Sequence, residues 1–186
     1  MVICTPYKDI IPAADIIESV ALELGVEWLT EDKYGRLIFA NRNLLVERAG
    51  DDDILFWDAD VSATAANVRA IRSTGYDIIG GACQYEKYPN KTVAGKIAKN
   101  INDCAIPWTE TGLNPVIWVG AGFLFVKKDV FKKMQKPYFR HEFIGETQTG
   151  EDVGFCINAA RSGFNIYLYS ECKVIHPYKK ENVACS

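Results

Sequence analysis

Asp58 and Asp60 are the residues of this chain best placed to do chemistry. They close Ile54-Leu55-Phe56-Trp57-Asp58-Ala59-Asp60, an apolar run that ends abruptly in two carboxylates. Four consecutive large apolar residues read as a strand buried on both faces of a parallel sheet. Ligands of open α/β sheets bind just beyond the carboxyl ends of such strands. On extended backbone, side chains two residues apart leave the same face. Paired hard oxygen donors suit a Mg²⁺ or Mn²⁺ ion that also binds phosphate oxygens, which points to a nucleotide diphosphate. Alternatively, Asp58 and Asp60 cap the helix that follows.

A second Asp-x-Asp, Asp51-Asp52-Asp53, has the same letters and the opposite address. It precedes the strand, at the amino edge of the sheet, and is expected to be a solvated turn. Glu151-Asp152 opens a helix after the 145–150 stretch. There the acids either cap free N–H groups and favour the macrodipole, or Asp152 serves as a general base on a rigid helix end. His176 closes Lys173-Val174-Ile175-His176-Pro177. A neutral imidazole there completes a metal site begun by carboxylates, or bonds a nearby carbonyl. Gly120 and Gly122 flank Ala121 and mark either a tight bend or a close approach of ligand to bare backbone. His141, among Tyr138, Phe139, Arg140 and Phe143, is expected in a substrate-covering loop.

The elements that must position these groups alternate in the first half. Strands are predicted at 2–4, 26–29, 54–57 and 77–79, with residues 5–9 forming the loop after the first. Helices are predicted at 13–24, closed by Gly25, at 37–49, ended by Gly50, and at 62–73. In the second helix Ile38, Leu44, Leu45 and Ala49 are the expected core positions. This βαβαβαβ order implies a mainly parallel layered sheet with right-handed crossovers, an α/β fold. Residues 80–115 read as short strands or a ribbon. Residues 116–126 read as two strands kinked at Gly120-Ala121-Gly122, 128–134 as a helix and 135–150 as a long loop. A helix at 151–162, a strand at 165–169 and another strand ending at His176 complete the chain. One domain is expected, with a nucleotide-binding half at about 1–80 and an acceptor half at about 81–186.

Bulk properties narrow the function classes. With 186 residues and 48% hydrophobic content the chain can bury a substantial core, and a net charge of -3 argues against a broad nucleic-acid surface. No run of ~18 apolar residues suggests a membrane span. The six cysteines form no C-x-x-C pair and no zinc-like spacing, which fits a reduced, cytoplasmic protein. The absence of G-x-G-x-x-G, a Walker loop and G-x-S-x-G disfavours a Rossmann dehydrogenase, a P-loop NTPase and an α/β hydrolase.

The succession of pieces resembles the nucleotide-sugar glycosyltransferases of the GT-A fold, especially the family-two-like group. The resemblance runs through Arg42-Asn43-Leu44-Leu45, Asp58-Ala59-Asp60, Val119-Gly120-Ala121-Gly122-Phe123-Leu124-Phe125, Gly150-Glu151-Asp152-Val153-Gly154-Phe155-Cys156, Gly163-Phe164-Asn165-Ile166-Tyr167 and Val174-Ile175-His176. It implies a three-layer α/β/α sandwich with a small irregular β-containing acceptor half. It further implies a Mn²⁺- or Mg²⁺-dependent transfer of a sugar from a nucleotide donor, UDP favoured, to a glycan, protein or small-molecule acceptor. Compact members occur among viral and bacterial enzymes, and a viral member would work in the host cytoplasm.

The resemblance also implies roles for individual residues. Thr5, Pro6 and Tyr7 match the loop that holds the nucleoside, and Arg42 a basic residue near the base or ribose. Asp58 would touch ribose and the metal shell beside Ala59, Asp60 would bind the metal directly, and His176 would join it. Gly120, Ala121 and Gly122, with Trp118, would border the donor sugar and acceptor. Asp152, beside Glu151, would be the base if the reaction inverts the anomeric centre. Glu31 or Asp32 would supply the usual acid after the second strand, while Lys179 and Lys180 either cover the diphosphate or form a solvated pair. The rivals are a nucleotidyltransferase, for which Thr5 to Asp9 lacks the glycine- and lysine-rich loop, and a non-catalytic carbohydrate-binding domain.

Overall fold

The computed structural model describes residues 1–85, 88–96 and 105–175. His176, Lys179 and Lys180 lie outside them. The first half alternates as β1 (Val2–Pro6), α1 (Ala14–Leu24), β2 (Trp28–Glu31), α2 (Ile38–Ala49), β3 (Ile54–Trp57), α3 (Ala65–Ser73) and β4 (Ile78–Tyr85). The second half holds β5 (Tyr88–Gly95), β6 (Ala105–Pro107), β7 (Leu113–Val116), β8 (Trp118–Val119), β9 (Phe123–Val126) and α4 (Lys128–Lys133). After these come β10 (Phe143–Ile144), β11 (Thr147–Gln148), α5 (Glu151–Arg161) and β12 (Ile166–Val174).

The central sheet follows the order β2-β1-β3-β9-β4-β12-β7. β1 lies parallel to β2 and β3, and β12 parallel to β4. β9 runs antiparallel between β3 and β4, and β7 antiparallel at the edge. The sheet is therefore mainly parallel, but β3 and β4 are not neighbours as a plain βαβ succession would make them. β5 leaves β4 to pair with β6 and β8, forming the irregular ribbon.

Period-two alternation builds a layer on each face. Val2, Cys4, Ile54, Phe56, Leu124 and Val126 join Leu45, Val130 and Phe155 from α2, α4 and α5 in one core. Ile3, Leu55, Trp57, Phe123 and Phe125 join Ile17, Val68 and Ile71 from α1 and α3 in the other. The architecture is a three-layer α/β/α sandwich.

Local chemistry moves several boundaries. Gly25, at φ 62, ends α1 by donating its N–H to Ala21 and Leu22 carbonyls. α3 starts at Ala65, not 62, because Thr64 and Asn67 form a reciprocal capping box. α2 buries Asn41, Arg42, Leu45, Val46 and Ala49, whereas Ile38 and Leu44 are only half-buried. The expected loop at 135–150 carries the β10–β11 hairpin, and Phe139 within it is fully buried. Asn43 clamps this segment to α2, accepting from the Tyr138 and Phe139 N–H groups at 2.9 and 3.1 Å. β12 is one strand with a register shift between Tyr169 and Lys173, where two strands were expected.

Candidate active site

β1 and β3 run side by side, so their carboxyl ends open on the same edge of the sheet. A groove of about 360 Å³ lies there, lined by Pro6, Tyr7, Asp58, Ala59 and Asp60 together with Lys8, Ile10 and Ile38. The backbone does not stay extended beyond β3. The Val61 N–H donates to the Asp58 carbonyl at 3.0 Å, and buried Trp57 donates Nε1 to Val61 at 2.8 Å. The two aspartates therefore share the groove through a turn, not through strand alternation. The Ala13 N–H pins that turn through the Ala59 carbonyl at 2.9 Å. Thr64 caps α3, so the capping alternative for Asp58 and Asp60 does not describe this helix. At the far edge, Asp53 accepts from the Lys128 N–H and Asp51 faces Lys132 at 3.2 Å, both structural roles.

Behind the groove is a smaller cavity of about 120 Å³, lined by Arg42, Asp58, Cys83, Gly120, Ala121, Gly122, Glu151 and Asp152. Asp58 belongs to both spaces. Its N–H donates to the Gly122 carbonyl at 2.9 Å, and a side chain on Gly122 would press on the Asp58 carboxylate. Gly120 is small for a different reason: a Cβ there would collide with Val93 of β5.

Arg42 joins the acids. Its Nη2 donates to Asp58 Oδ1 at 2.6 Å and its Nη1 to Glu151 Oε1 at 2.5 Å. Burial alone would lower its pKa, but Asp58 and Glu151, with Asp152 behind them, push it above the ordinary guanidinium value. Asp152 is half-buried at the start of α5, its Oδ1 accepting from the Val153 N–H at 2.8 Å. Burial first, then the neighbouring Glu151 charge, raises its carboxyl pKa to about 6 against the lowering effect of Arg42. A carboxylate with that value is ionised at pH 7 and still basic enough to accept a proton. Cys83 also lines the cavity, but burial drives its thiol far upward; Cys4 and Cys156, raised to about 12, are equally unsuited to nucleophilic work.

Other predicted residues stand elsewhere. Thr5 belongs to β1, not to a loop; it is fully buried and its hydroxyl accepts from Trp28 Nε1 at 2.9 Å. Trp118 is 2% exposed and packs its indole against Gly95, away from the cavity wall. Arg42, expected near the base or ribose, points at two acids and lines the smaller cavity, not the groove. Among the described residues no group of three or more His, Cys, Asp or Glu could hold a metal; Asp58 and Asp60 both line the groove, and His176 lies outside the described residues. Glu31 lies at the end of β2, where it accepts from the Lys33 N–H and Arg48, and neither it nor Asp32 lines the groove. His141 bonds the Thr149 carbonyl at 2.8 Å and meets Phe39 edge-on.

Two contributors were missed. Lys8 brings a cation to the groove, paired with Asp9 at 3.0 Å. Asn41 is fully buried and ties the Tyr34 N–H and the Gly35 and Tyr7 carbonyls to α2, fixing the groove wall. The uninterrupted polar triplet Asn41-Arg42-Asn43 inside an apolar-periodic helix was the available signal.

This sheet order and its covered faces define an α/β fold that resembles that of the GT-A glycosyltransferases. Among solved structures the chain is similar to A197 from STIV, with a TM-score of 0.60 and 17% identity, covering 100% of this chain and 96% of that one. It is also similar to S. aureus TarS 1-349 in complex with UDP-GlcNAc, with a TM-score of 0.56 and 13% identity over 97% of this chain and 59% of that one. GalNAc-T7 with UDP, GalNAc and Mn²⁺ matches with a TM-score of 0.56 and 12% identity over 97% of this chain and 44% of that one. The chain thus spans little more or less than half the length of these two. No protein-family model and no curated protein matches it. No helix among the described residues is long and apolar enough to cross a membrane.

Proposed function

We propose that this chain is a divalent-metal-dependent glycosyltransferase that moves a sugar from a nucleotide-diphosphate donor, UDP favoured, to an acceptor hydroxyl with inversion. The observation that carries the proposal is the position of Asp58, which walls both the groove at the ends of β1 and β3 and the cavity that holds Asp152. A donor in the groove and an acceptor at Asp152 would meet there. The likeness of the fold to proteins crystallised with UDP-GlcNAc, and with UDP, GalNAc and Mn²⁺, adds support.

In this account Pro6, Tyr7 and Ile38 contact the nucleoside, with Lys8 near the diphosphate. Asp58 and Asp60 hold the ion. Two carboxylates on an open groove suit Mg²⁺ or Mn²⁺, which keep waters and take further oxygens from substrate phosphates instead of needing an all-protein cage. When bound, the ion neutralises charge on the departing diphosphate. His176, which lies outside the described residues, is kept as a further ligand on the resemblance alone. Asp152 accepts the acceptor's proton as the new glycosidic bond forms and the bond to the diphosphate breaks. Gly122 and Ala121 leave space beside the sugar. Residues of about 1–80 supply the donor side and later residues the acceptor side of one domain.

Thermal shift with UDP, GDP or dTDP, each with and without Mn²⁺, tests the donor site. Stabilisation that requires nucleotide and metal together, and is lost in Asp60→Asn, is expected. No shift with any pair would favour a non-catalytic domain.

A further inference from the structure

Arg42 is 3% exposed, yet it contacts segments distant in sequence on both sides. One terminal nitrogen binds Asp58, beyond β3, and the other binds Glu151, in the first turn of α5. Its guanidinium carbon lies 5.6 Å from the centre of the Phe139 ring, and Phe139 is held in turn by Asn43 of the same helix. Nε has no hydrogen-bond partner among the described residues. A guanidinium engaged by two acids in this way acts as a clamp. A planar fork can satisfy two carboxylates at once, which the compact ammonium of lysine does less well.

We infer that Arg42 is a positioning residue for sugar transfer: by binding Asp58 and Glu151 on one guanidinium, it holds the donor-side turn and the first turn of α5 in register and keeps Asp152 at the cavity wall. This inference rests on the transferase proposal. The charged and titratable groups around Asp152 are Glu151 and Cys156 on α5, Arg42 from α2, Asp58 beyond β3 and Cys83 of β4, which lines the same cavity. Loss of Arg42 would remove the cation that opposes protonation of Asp152.

The test is steady-state kinetics of Arg42→Gln and Arg42→Lys with a donor that the wild-type protein turns over. The expected result is a donor KM within about threefold of wild type and a kcat lower by about 100-fold in Arg42→Gln, the scale of loss when reacting groups are displaced by about 1 Å. The acidic limb of its rate profile should move to higher pH, and Arg42→Lys should restore part of kcat. A donor KM raised about tenfold or more with kcat intact would overturn the inference and make Arg42 a donor contact. Where Arg42→Gln does not fold, Glu151→Gln breaks one arm alone, and the cycle with Arg42→Lys decides: non-additive losses support the clamp, additive losses overturn it. If the wild type turns over no donor, the transferase proposal fails. Carbon-13 carboxyl NMR then decides the clamp: an Asp152 midpoint that rises in Arg42→Gln supports it, and an unmoved midpoint overturns it.

Discussion

Asp152 carries the sharpest predictions at the scale of single residues. Its carboxyl is raised from 3.8 to about 6 by burial and by Glu151. The folded protein therefore holds this proton more tightly than the unfolded chain does. Asp152 favours folding below its unfolded value, and that contribution is lost as pH rises through about 6. Asp152→Asn should accordingly melt higher than wild type at pH 7.5; about 1 kcal/mol recovered corresponds to about 2–4 °C in a chain of this size. The same variant should lose about 10²- to 10⁴-fold in transfer, and wild-type kcat should fall below about pH 6. Melting scans and a pH–rate profile check both. Asp58 and Asp60 were legible because a strand end is an address that sequence order reveals. Arg42 was named through the resemblance, but its inward course toward Asp58 and Glu151 was not legible, because a charged residue in an amphipathic helix ordinarily marks the solvent face. Only the acids delivered from β3 and α5, far away in sequence, make an inward arginine tolerable.

At the scale of elements, the segment at 135–150 shows what periodicity cannot report. It has no repeat because side chains of other elements hold it, Asn43 from α2 and Asn158 from α5. Asn43→Ala should cost about 2–3 kcal/mol in urea unfolding, since two backbone N–H groups lose their acceptor. Gly154 faces the same segment from α5. Replacing a mid-helix glycine by alanine ordinarily gains about 1 kcal/mol, but a Cβ here would run into the Arg140 carbonyl, which is backbone and cannot swing aside. Overpacking of that kind typically costs about 1–3 kcal/mol, so Gly154→Ala should lower the unfolding midpoint. α1 and β3 could be read directly, one from its period and Gly25, the other from its apolar run. The insertion of β9 between β3 and β4 could not, because Phe123–Val126 looks the same whichever neighbours it pairs with.

At the scale of the whole molecule, the sheet order brings β1, β3 and β9 together, so residues 6, 58 and 122 converge although the chain spaces them widely. The alternation of strands and helices was enough to anticipate a layered sheet. The meeting of the groove with the Asp152 cavity depends on crossovers that only the folded chain displays. The measurement that tests the central proposal most directly is release of nucleoside diphosphate from UDP-, GDP- and dTDP-sugars, with and without Mn²⁺, by wild type and Asp60→Asn. Release by the wild type that requires Mn²⁺ and disappears in Asp60→Asn is the predicted result. Release from no donor, or release indifferent to both the metal and the substitution, would contradict it.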